Sequence, residues 1–214
     1  MTTVGLLLAA GAGRRMGGPK SLVRLTADGP TLLEVAVARL HEGGLDRVIA
    51  VVGAAAEQAV PLAVSVGAEV VVAAGWEEGM GASLRAGLGH LAGPGGDGVD
   101  AVLVTLVDLP DVTAAVHRRV LAAAGDAPRA ALARATYDGR PGHPVLLGRD
   151  HWAGVRGSAR GDRGARVHLA GHPATPVECG DLATGADLDT PDALRAASQG
   201  KGPGPRRRPT GGPS

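Results

Sequence analysis

The sequence predicts an α/β protein with a doubly wound, mostly parallel sheet and a small mixed hairpin region toward the C-terminus. Short apolar runs recur in the first half of the chain and alternate with segments of helical character. This alternation is typical of buried parallel strands joined by right-handed helical crossovers. After residue 130 the pattern changes to that of a hairpin. We expect one domain over residues 1–198.

Four apolar runs predict the parallel strands, because each has the length of a strand that is covered on both faces. They are Val4–Ala10, Val48–Val52, Glu69–Ala73 and Ala101–Val107. Four helices are expected over Thr31–Glu42, Ala54–Val66, Ala82–Leu91 and Thr113–Ala123. Pro61 weakens the second helix. The hydroxyl of Thr113 can cap the fourth by accepting a hydrogen bond from a free backbone N–H.

The remainder of the chain predicts a smaller mixed region. Ala130–Tyr137 and His143–Leu147 are expected to pair as a hairpin around a glycine-bearing turn. A glycine-interrupted helical segment over about 151–169, a short strand at Pro176–Cys179 and a last helix from Pro191 should follow. Residues 199–214 are rich in Pro, Gly and charge. They predict a disordered basic tail that can be deleted without loss of turnover.

Composition excludes several classes of function. A net charge of +1 over 214 residues provides no basic field for nucleic acid. The single cysteine, Cys179, excludes a disulfide framework and suits a reducing compartment. The apolar run Val4–Ala10 is too short to span a bilayer, and no basic residues precede it as in a signal peptide. We therefore expect a cytoplasmic protein that binds neither nucleic acid nor membranes, with an aliphatic core, since Phe is absent.

The segment from Leu6 to Lys20 is the most informative part of the chain. An apolar strand runs into a glycine-rich loop that carries Arg14, Arg15 and Lys20. Glycines leave backbone N–H groups accessible and permit close approach of a ligand, and the cations balance phosphate charge. Ligands of open α/β sheets bind beyond the carboxyl ends of the strands, where this loop lies. The loop therefore predicts a polyphosphate site.

Two well-known phosphate loops fit this segment poorly. The dinucleotide fingerprint needs a third glycine where Met16 stands, and an acid after the next strand, which instead ends in Val52-Gly53-Ala54. The Walker loop needs Gly-Lys-Ser/Thr in one run, but Pro19 separates Gly18 from Lys20. An NAD(P)-dependent oxidoreductase and a non-catalytic nucleotide-binding or cofactor-chaperone module are nevertheless kept as alternatives from other functional classes.

The loop Leu-Ala-Ala-Gly-x-Gly-x-Arg-Met-Gly-x-Pro-Lys, residues 8–20, resembles the signature of nucleotidyltransferases that move a nucleoside monophosphate from an NTP onto a phosphate. Within that superfamily the chain looks most like the molybdenum cofactor cytidylyltransferases, from Val4 to about Ser198. The resemblance implies transfer of CMP from CTP to the terminal phosphate of a phosphorylated acceptor, Mo-molybdopterin, with release of pyrophosphate. It further implies Mg²⁺ as cofactor, with Mn²⁺ as a substitute, and a molybdoenzyme that receives the product.

The resemblance assigns the nucleotide site and two of the catalytic residues. Arg15 and Lys20 would grip the triphosphate and act in catalysis. Gly81 and Ser83 lie in a Gly-Met-x-x-Ser-Leu-Arg stretch whose serine faces the nucleotide in the family, although Ser83 is equally compatible with an ordinary helix residue. The full nucleotide-binding set is Leu8, Ala9, Ala10, Gly11, Gly13, Arg15, Lys20, Gly81 and Ser83.

Two carboxylates are the expected metal ligands. Asp108 directly follows an apolar strand, where the family carries its metal-binding aspartate, and it is the third catalytic residue; a helix cap or a surface role is the alternative. A hard divalent cation takes carboxylate oxygens and keeps several waters, so one or two acids suffice. Asp187 matches the family's second metal ligand. Its neighbours Asp189 and Thr190 are expected to cap the helix that starts at Pro191.

Shorter matches to the family indicate the acceptor-binding residues and the nucleobase of the NTP. His143 in Gly-His-Pro and Asp162 in Gly-Asp-Arg-Gly-Ala-Arg match cytidylyltransferase stretches and are expected to bind the acceptor, although a lone His at a strand start is as often structural. In the resembled enzymes Ala-Ala-Gly accompanies CTP and Ala-Gly-Gly accompanies GTP, and the Ala10 methyl would fill space that a purine needs. One methyl is worth only about 1–3 kcal/mol of discrimination. Guanylyltransferases and transferases acting on sugar phosphates or other small phosphates therefore stay open.

Overall fold

The computed structural model describes residues 2–198, which form one seven-stranded mixed sheet flanked by helices. The strands are β1 Thr3–Ala9, β2 Val48–Val52, β3 Glu69–Val72, β4 Ala101–Leu106, β5 Leu132–Tyr137, β6 Arg140–Gly148 and β7 Thr175–Glu178. The helices are α1 Leu32–Glu42, α2 Ala56–Ser65, α3 Met80–Ala92, α4 Ala114–Ala122, α5 Trp152–Ser158, α6 Arg166–Gly171 and α7 Pro191–Ser198. The expected tail, residues 199–214, lies outside the described residues.

The strand order is β3-β2-β1-β4-β6-β5-β7. The first four strands are parallel, β7 is parallel to β5, and β6 runs antiparallel to both of its neighbours. The sheet is therefore doubly wound and mostly parallel with a mixed hairpin region, and the predicted fold class is confirmed.

The hairpin differs from the sequence-based expectation in its length. β6 begins at Arg140 rather than at His143, because Arg140 pairs with Tyr137 and Pro141 pairs with Thr136. The register shifts between Arg134 and Thr136. Such a bulge admits an extra residue and bends the strand. The proline and glycines between residues 138 and 142 indicate a turn, but they also fit a twisted strand end next to a bulge.

Aliphatic side chains cover both faces of the sheet, as the absence of Phe predicts. Leu7, Leu33 and Leu103 lie in the larger cluster, and Leu6, Leu88 and Val104 lie in the smaller one on the other face. Successive residues of a strand point to opposite faces, so each central strand contributes to both clusters. This burial holds the carboxyl ends of β1 and β4 rigidly side by side.

The threonines that precede α1 and α4 behave differently, and only the Thr113 cap was predicted. The hydroxyl of Thr31 accepts from the backbone N–H of Glu34 at 3.2 Å, and the Glu34 carboxylate accepts from the backbone N–H of Thr31 at 2.7 Å, which is a complete capping box. Thr113 is the N-cap residue of α4 but makes no side-chain capping bond, so that part of the prediction is wrong. No helix within residues 2–198 is both long and apolar enough to cross a membrane.

Candidate active site

The loop after β1 folds into two short 3₁₀ turns, Arg14–Met16 and Lys20–Leu22. Gly13 has a φ of 57°, and a Cβ built on it would lie 2.0 Å from the carbonyl oxygen of Gly18. The carbonyl oxygen of Gly13 accepts hydrogen bonds from the backbone N–H groups of Met16 at 2.8 Å and Gly18 at 3.3 Å. Only glycine fits this position, because the left-handed backbone and the close chain crossing both exclude a side chain. The loop is thereby closed on itself and presents Lys20 at its end.

Lys20 joins two carboxylates that are remote in sequence. Its Nζ donates to Asp108 Oδ2 at 2.6 Å and to Asp189 Oδ1 at 2.6 Å. Asp108 lies beside the loop because β4 pairs in parallel with β1, with Leu106 opposite Leu8. Asp189 reaches the same point because the N–H of Leu188 donates to the Asp108 carbonyl at 2.9 Å. The cationic loop and the carboxylate after β4 thus face one another.

These charges stabilise each other's ionised forms. Burial would lower the pKa of Lys20, but the charges and hydrogen bonds of Asp108 and then Asp189 outweigh burial and raise the pKa above its usual value. The Lys20 hydrogen bond is the main cause that lowers the pKa of Asp189. Lys20 and Asp189 therefore both carry charge at neutral pH.

Arg15 occupies the outer side of the site. Its guanidinium is 3.4 Å from Asp189 Oδ2, and its side chain is 80% exposed. An exposed ion pair of this kind contributes little to stability. Arg15 is therefore free to turn toward an anion in the cleft, whereas Lys20, whose side chain is only 16% exposed, is fixed by its two partners.

A cleft of about 500 Å³ opens in front of Lys20. Its walls come from the β1 loop, the start of α3, the end of β4 and the segments around Asp162 and Asp189. Nine residues predicted to bind nucleotide, acceptor or metal line it: Leu8, Ala10, Gly11, Gly13, Arg15, Lys20, Ser83, Asp108 and Asp162.

Four other predicted residues are not among the cleft-lining residues. Ala9 points into the core on the opposite sheet face. Gly81 packs against the chain, since a Cβ on it would be 2.8 Å from the backbone N of Arg160. Asp187 is exposed beside Asp189, and His143 is partly buried at the start of β6. Burial is the main cause that lowers the pKa of His143 to about 4, with Arg134 and Arg166 adding to it.

Glycine permits one further close approach, at the entrance to α3. Gly79 has a φ of 108°, and a Cβ on it would be 2.5 Å from the Asp162 carboxylate. A Cβ on Gly164 would lie 3.3 Å from the Met80 sulfur. The 161–164 segment therefore sits directly on the start of α3, which explains how Asp162, far away in the sequence, becomes part of the cleft.

Sequence reasoning missed the position of Asp189. We expected it to cap α7, but the capping bond there comes from Thr190, whose Oγ1 accepts from the N–H of Ala193 at 3.2 Å. Asp189 instead contacts Lys20 and Arg15. The alternation of Asp187, Leu188 and Asp189 was the available signal, because the buried Leu188 anchors the segment to the core beside which Asp189 contacts Lys20. Trp76 and Glu77 also line the cleft without a predicted role.

The donor set in the cleft fits a hard divalent cation. Within residues 2–198 no three His, Cys, Asp or Glu side chains are grouped as a protein-only metal site. Two carboxylates nevertheless converge on one cationic atom, Lys20 Nζ, which shows that a positive charge is accommodated between them. Mg²⁺ is commonly held by one or two carboxylates together with substrate phosphates and waters. The cleft offers those two carboxylates and a loop suited to phosphates.

Comparison with known proteins agrees with this geometry. Residues 5–176 match the model of the MobA-like NTP transferase domain. The nicotine blue oxidoreductase of Paenarthrobacter nicotinovorans is 34% identical over 199 residues, which is 89% of this chain and 93% of that protein.

Solved structures share the fold. Rv0371c of Mycobacterium tuberculosis H37Rv, in complex with manganese, is 27% identical with a TM-score of 0.69 over 93% of this chain and 99% of that one. A nucleotidyl transferase from Methanothermobacter is 19% identical with a TM-score of 0.74 over 94% and 97% of the two chains. On the family match, which covers most of its length, this chain belongs to the MobA-like NTP transferase family.

Proposed function

We propose that the protein is a nucleotidyltransferase that moves CMP from CTP onto the phosphate of a phosphorylated small molecule, with Mo-molybdopterin as the acceptor. The observation that carries the proposal is the contact of Lys20 with Asp108 and Asp189 at the mouth of a glycine-rich loop. That arrangement supplies cations for a triphosphate and carboxylates for its metal within one cleft. Family membership supports the same chemistry.

The reaction requires little covalent participation by the protein. A terminal phosphate oxygen of the acceptor attacks the α-phosphorus of the NTP in line, a new P–O bond forms, and the bond to the leaving pyrophosphate breaks with its electron pair. No general base is needed when the acceptor is an ionised phosphate monoester. Catalysis then consists of positioning and charge neutralisation. Lys20 and Arg15 neutralise the phosphate oxygens, and the backbone N–H groups near Gly11 and Gly13 orient them.

Asp108 would hold a divalent cation together with Asp187 or Asp189, and Asp189 is the better placed of the two because it lines the cleft. When bound, that cation neutralises charge on the phosphates and on the leaving pyrophosphate. Mg²⁺ is the proposed physiological ion, and Mn²⁺ is supported by the manganese complex of the mycobacterial relative. On binding of the nucleotide–metal complex, Lys20 would exchange its carboxylate contacts for phosphate oxygens.

The proposed preference for CTP depends on Ala10. Ala10 lines the cleft. A Cβ built on Gly53 would lie 2.9 Å from the Ala10 Cβ and 2.6 Å from the Trp76 side chain, so these three residues are packed closely together. The methyl group therefore faces a crowded wall. We expect Ala10→Gly to raise kcat/KM for GTP relative to CTP by about tenfold, within the range that one methyl contributes. An unchanged GTP/CTP ratio would remove Ala10 as a determinant of base choice.

The decisive experiment measures pyrophosphate release from each of the four NTPs, with and without molybdopterin, in Mg²⁺ and in Mn²⁺. We expect turnover only with CTP and molybdopterin together. Asp108→Asn should reduce it by about 10²-fold or more, as expected when an electrostatic group of the transition state is removed. Asp126→Asn, an exposed position beyond α4, is the matched control and should keep full activity. Wild-type turnover by Asp108→Asn would refute the mechanism.

A second candidate, an NAD(P)H-dependent oxidoreductase, is favoured by the relative named nicotine blue oxidoreductase. The β1 loop could hold the pyrophosphate of a dinucleotide with the same cations. Met16 in place of the third glycine and the missing acid after β2 count against the usual dinucleotide geometry. Titration with NADH and NADPH, followed by their fluorescence, and consumption of either with nicotine blue as acceptor would separate the two candidates. Saturable binding and turnover would establish the second.

A further inference from the structure

Three nitrogen-bearing side chains influence one another electrostatically near the start of β6: Arg134 on β5, His143 on β6 and Arg166 at the start of α6. Arg134 Nε donates to the carbonyl of Gly142 at 2.9 Å, which fixes the guanidinium beside His143. Burial first, and then the charge of Arg166, lower the pKa of Arg134. Both guanidinium charges also act on His143. The three groups are thus close enough to interact electrostatically.

Strand register places Arg134 on the sheet face of the cleft. Across the sheet Leu6 pairs with Val104, Val104 with Val145, and Val145 with Arg134. Directly paired residues point to the same face, so Arg134 shares the face of Leu6 and hence of Leu8, which lines the cleft. Because β6 is antiparallel to β4, the Gly142 end of β6 lies at the carboxyl end of β4, where Asp108 begins the site.

Arg166 approaches from the other side of the same rim. Four residues before it, Asp162 lines the cleft, and two residues before it, Gly164 lies against Met80, which also lines the cleft. Arg166 itself is exposed. The β5–β6 hairpin and the 161–166 segment therefore each carry one guanidinium group beyond the part of the cleft wall that Asp162 and Met80 form, and neither arginine lines the cleft itself.

This cluster has no acidic partner. Within residues 2–198 no carboxylate lies at salt-bridge distance from the guanidinium of Arg134 or Arg166, whereas Arg15 and Arg85 each have an acidic partner, Asp189 and Glu78. Two neighbouring cations, one of them partly desolvated, repel each other unless an anion lies between them. Guanidinium groups bind phosphate through paired hydrogen bonds, and a dianion relieves the repulsion best.

We propose that Arg134 and Arg166, with His143 beside them, form a binding site for a phosphate group of the second substrate, on the hairpin side of the cleft. The site takes a phosphate monoester dianion, and its position keeps that group separate from the triphosphate held by Arg15 and Lys20. Calling the ligand the acceptor rests on the proposed transferase function. Binding of the phosphate group itself does not require turnover and can be tested alone.

The test uses the full chain labelled with ¹⁵N and titrated with inorganic phosphate, followed by the arginine Nε–Hε signals. We expect the Arg134 and Arg166 signals to shift along one saturation curve. Arg134→Gln and Arg166→Gln should each weaken phosphate binding by about tenfold, because charge-assisted hydrogen bonds are lost. Arg156→Gln removes the same charge from an exposed position on α5 and should bind phosphate like the wild type. Arg166 is exposed, so its substitution does not threaten folding.

A second measurement separates this site from the nucleotide site. CTP affinity, followed by the fluorescence of Trp76 in the cleft wall, should be unchanged in Arg134→Gln and Arg166→Gln. If phosphate affinity is unchanged in both variants, or if CTP affinity falls as far as phosphate affinity, the inference is overturned. Failure of every NTP to yield pyrophosphate would instead refute the proposed function, and that result is independent of the phosphate titration.

Discussion

Lys20 links the two halves of the site at the level of single atoms. Its ammonium group lies between Asp108 and Asp189, where it offsets the repulsion of two carboxylates that would otherwise face one another. Because the pKa of Asp189 is lowered, the Lys20–Asp189 ion pair makes its full contribution to stability above the ordinary pKa of an aspartate. That contribution is lost only as the pH falls through the lower pKa that Asp189 has in the folded state. Neutral and mildly acidic buffers leave the pair intact.

Gly11 and Gly13 of the β1 loop have different roles, and replacing each of them with alanine distinguishes ligand binding from folding. Gly13→Ala should lower the free energy of unfolding by at least about 1–2 kcal/mol, because alanine would have to adopt the left-handed backbone conformation of Gly13. The clash of its methyl group with the Gly18 carbonyl should add to that loss. A Cβ on Gly11 meets no protein atom within 4 Å, and Gly11 lines the cleft. Gly11→Ala should therefore keep its stability within about 0.5 kcal/mol.

Gly11→Ala should instead lower CTP affinity by about tenfold, since the methyl group occupies space that the nucleotide needs. Urea denaturation and CTP titration of both variants check the pair of predictions. Unfolding at the same urea concentration for both variants would contradict the assignment of Gly13 to folding, and equal CTP affinity of Gly11→Ala and wild type would contradict that of Gly11.

At the scale of elements, the threonine caps of α1 and α4 provide a matched comparison. Thr31→Ala removes a capping box and should cost about 1 kcal/mol of stability. Thr113→Ala removes no capping bond and should leave the free energy of unfolding nearly unchanged. Chemical denaturation of both variants measures the difference. Equal losses would show that the capping box contributes nothing beyond intrinsic helix propensity.

The contact between α1 and α4 contains a histidine that should make stability pH-dependent. His117 Nδ1 lies 3.2 Å from the carbonyl oxygen of Arg39, to which the neutral ring donates, and its Nε2 has no partner within the described chain. Burial is the main cause that lowers the pKa of His117 to about 4. The unfolded chain therefore binds a proton that the folded one does not between about pH 6.5 and 4.

Stability should accordingly fall as the pH falls through that window, by at most about 3 kcal/mol from this residue. His117→Asn keeps a donor near the Nδ1 position but does not titrate, so its loss of stability over the same window should be smaller. Thermal melts at several pH values from 7 to 4 compare the two proteins. Parallel curves would show that His117 is not the titrating group and would point instead to His143, whose pKa is also lowered to about 4.

Most elements could be predicted because local pattern and tertiary environment agree. The apolar runs of β1, β2 and β4 are buried on both faces, so their composition alone identified them. The start of β6 could not be predicted, because Pro141 and Gly142 indicate a turn and only pairing with β5 makes them a strand. Thr113 has the residue type of a cap, but the direction of its hydroxyl depends on the approach of the preceding loop.

At the scale of the whole molecule, the site is the meeting point of five separate chain segments. The sequence predicted that the β1 loop and Asp108 lie at one edge of the sheet, because both directly follow apolar strands. It could not predict the contact between Asp189 and Lys20, since that contact depends on how the segment after β7 returns across the end of β4. The Arg134–Arg166 pair was equally impossible to predict, because 32 positions separate a residue of β5 from a residue of α6 that only the tertiary fold relates.

Ligand binding should stabilise the whole fold, because the cleft joins segments from both halves of the chain. CTP with Mg²⁺ at about 100 times its Kd should add ~2.7 kcal/mol and raise Tm by about 5–10 °C. Lys20→Met should abolish the shift, and Arg156→Gln should retain it. Thermal scanning with and without nucleotide checks this prediction. A larger shift with NADPH than with CTP would favour the oxidoreductase candidate.

The hydrogen bond from Leu188 to the Asp108 carbonyl has a consequence for biosynthesis. The sheet through β6 can assemble while later residues are still inside the ribosome, but Asp189 cannot reach Lys20 until its own segment has emerged. A nascent chain therefore acquires its scaffold first and its second carboxylate late. A chain interrupted by a premature stop codon shortly before position 188 would keep the β1 loop yet bind its nucleotide–metal complex poorly.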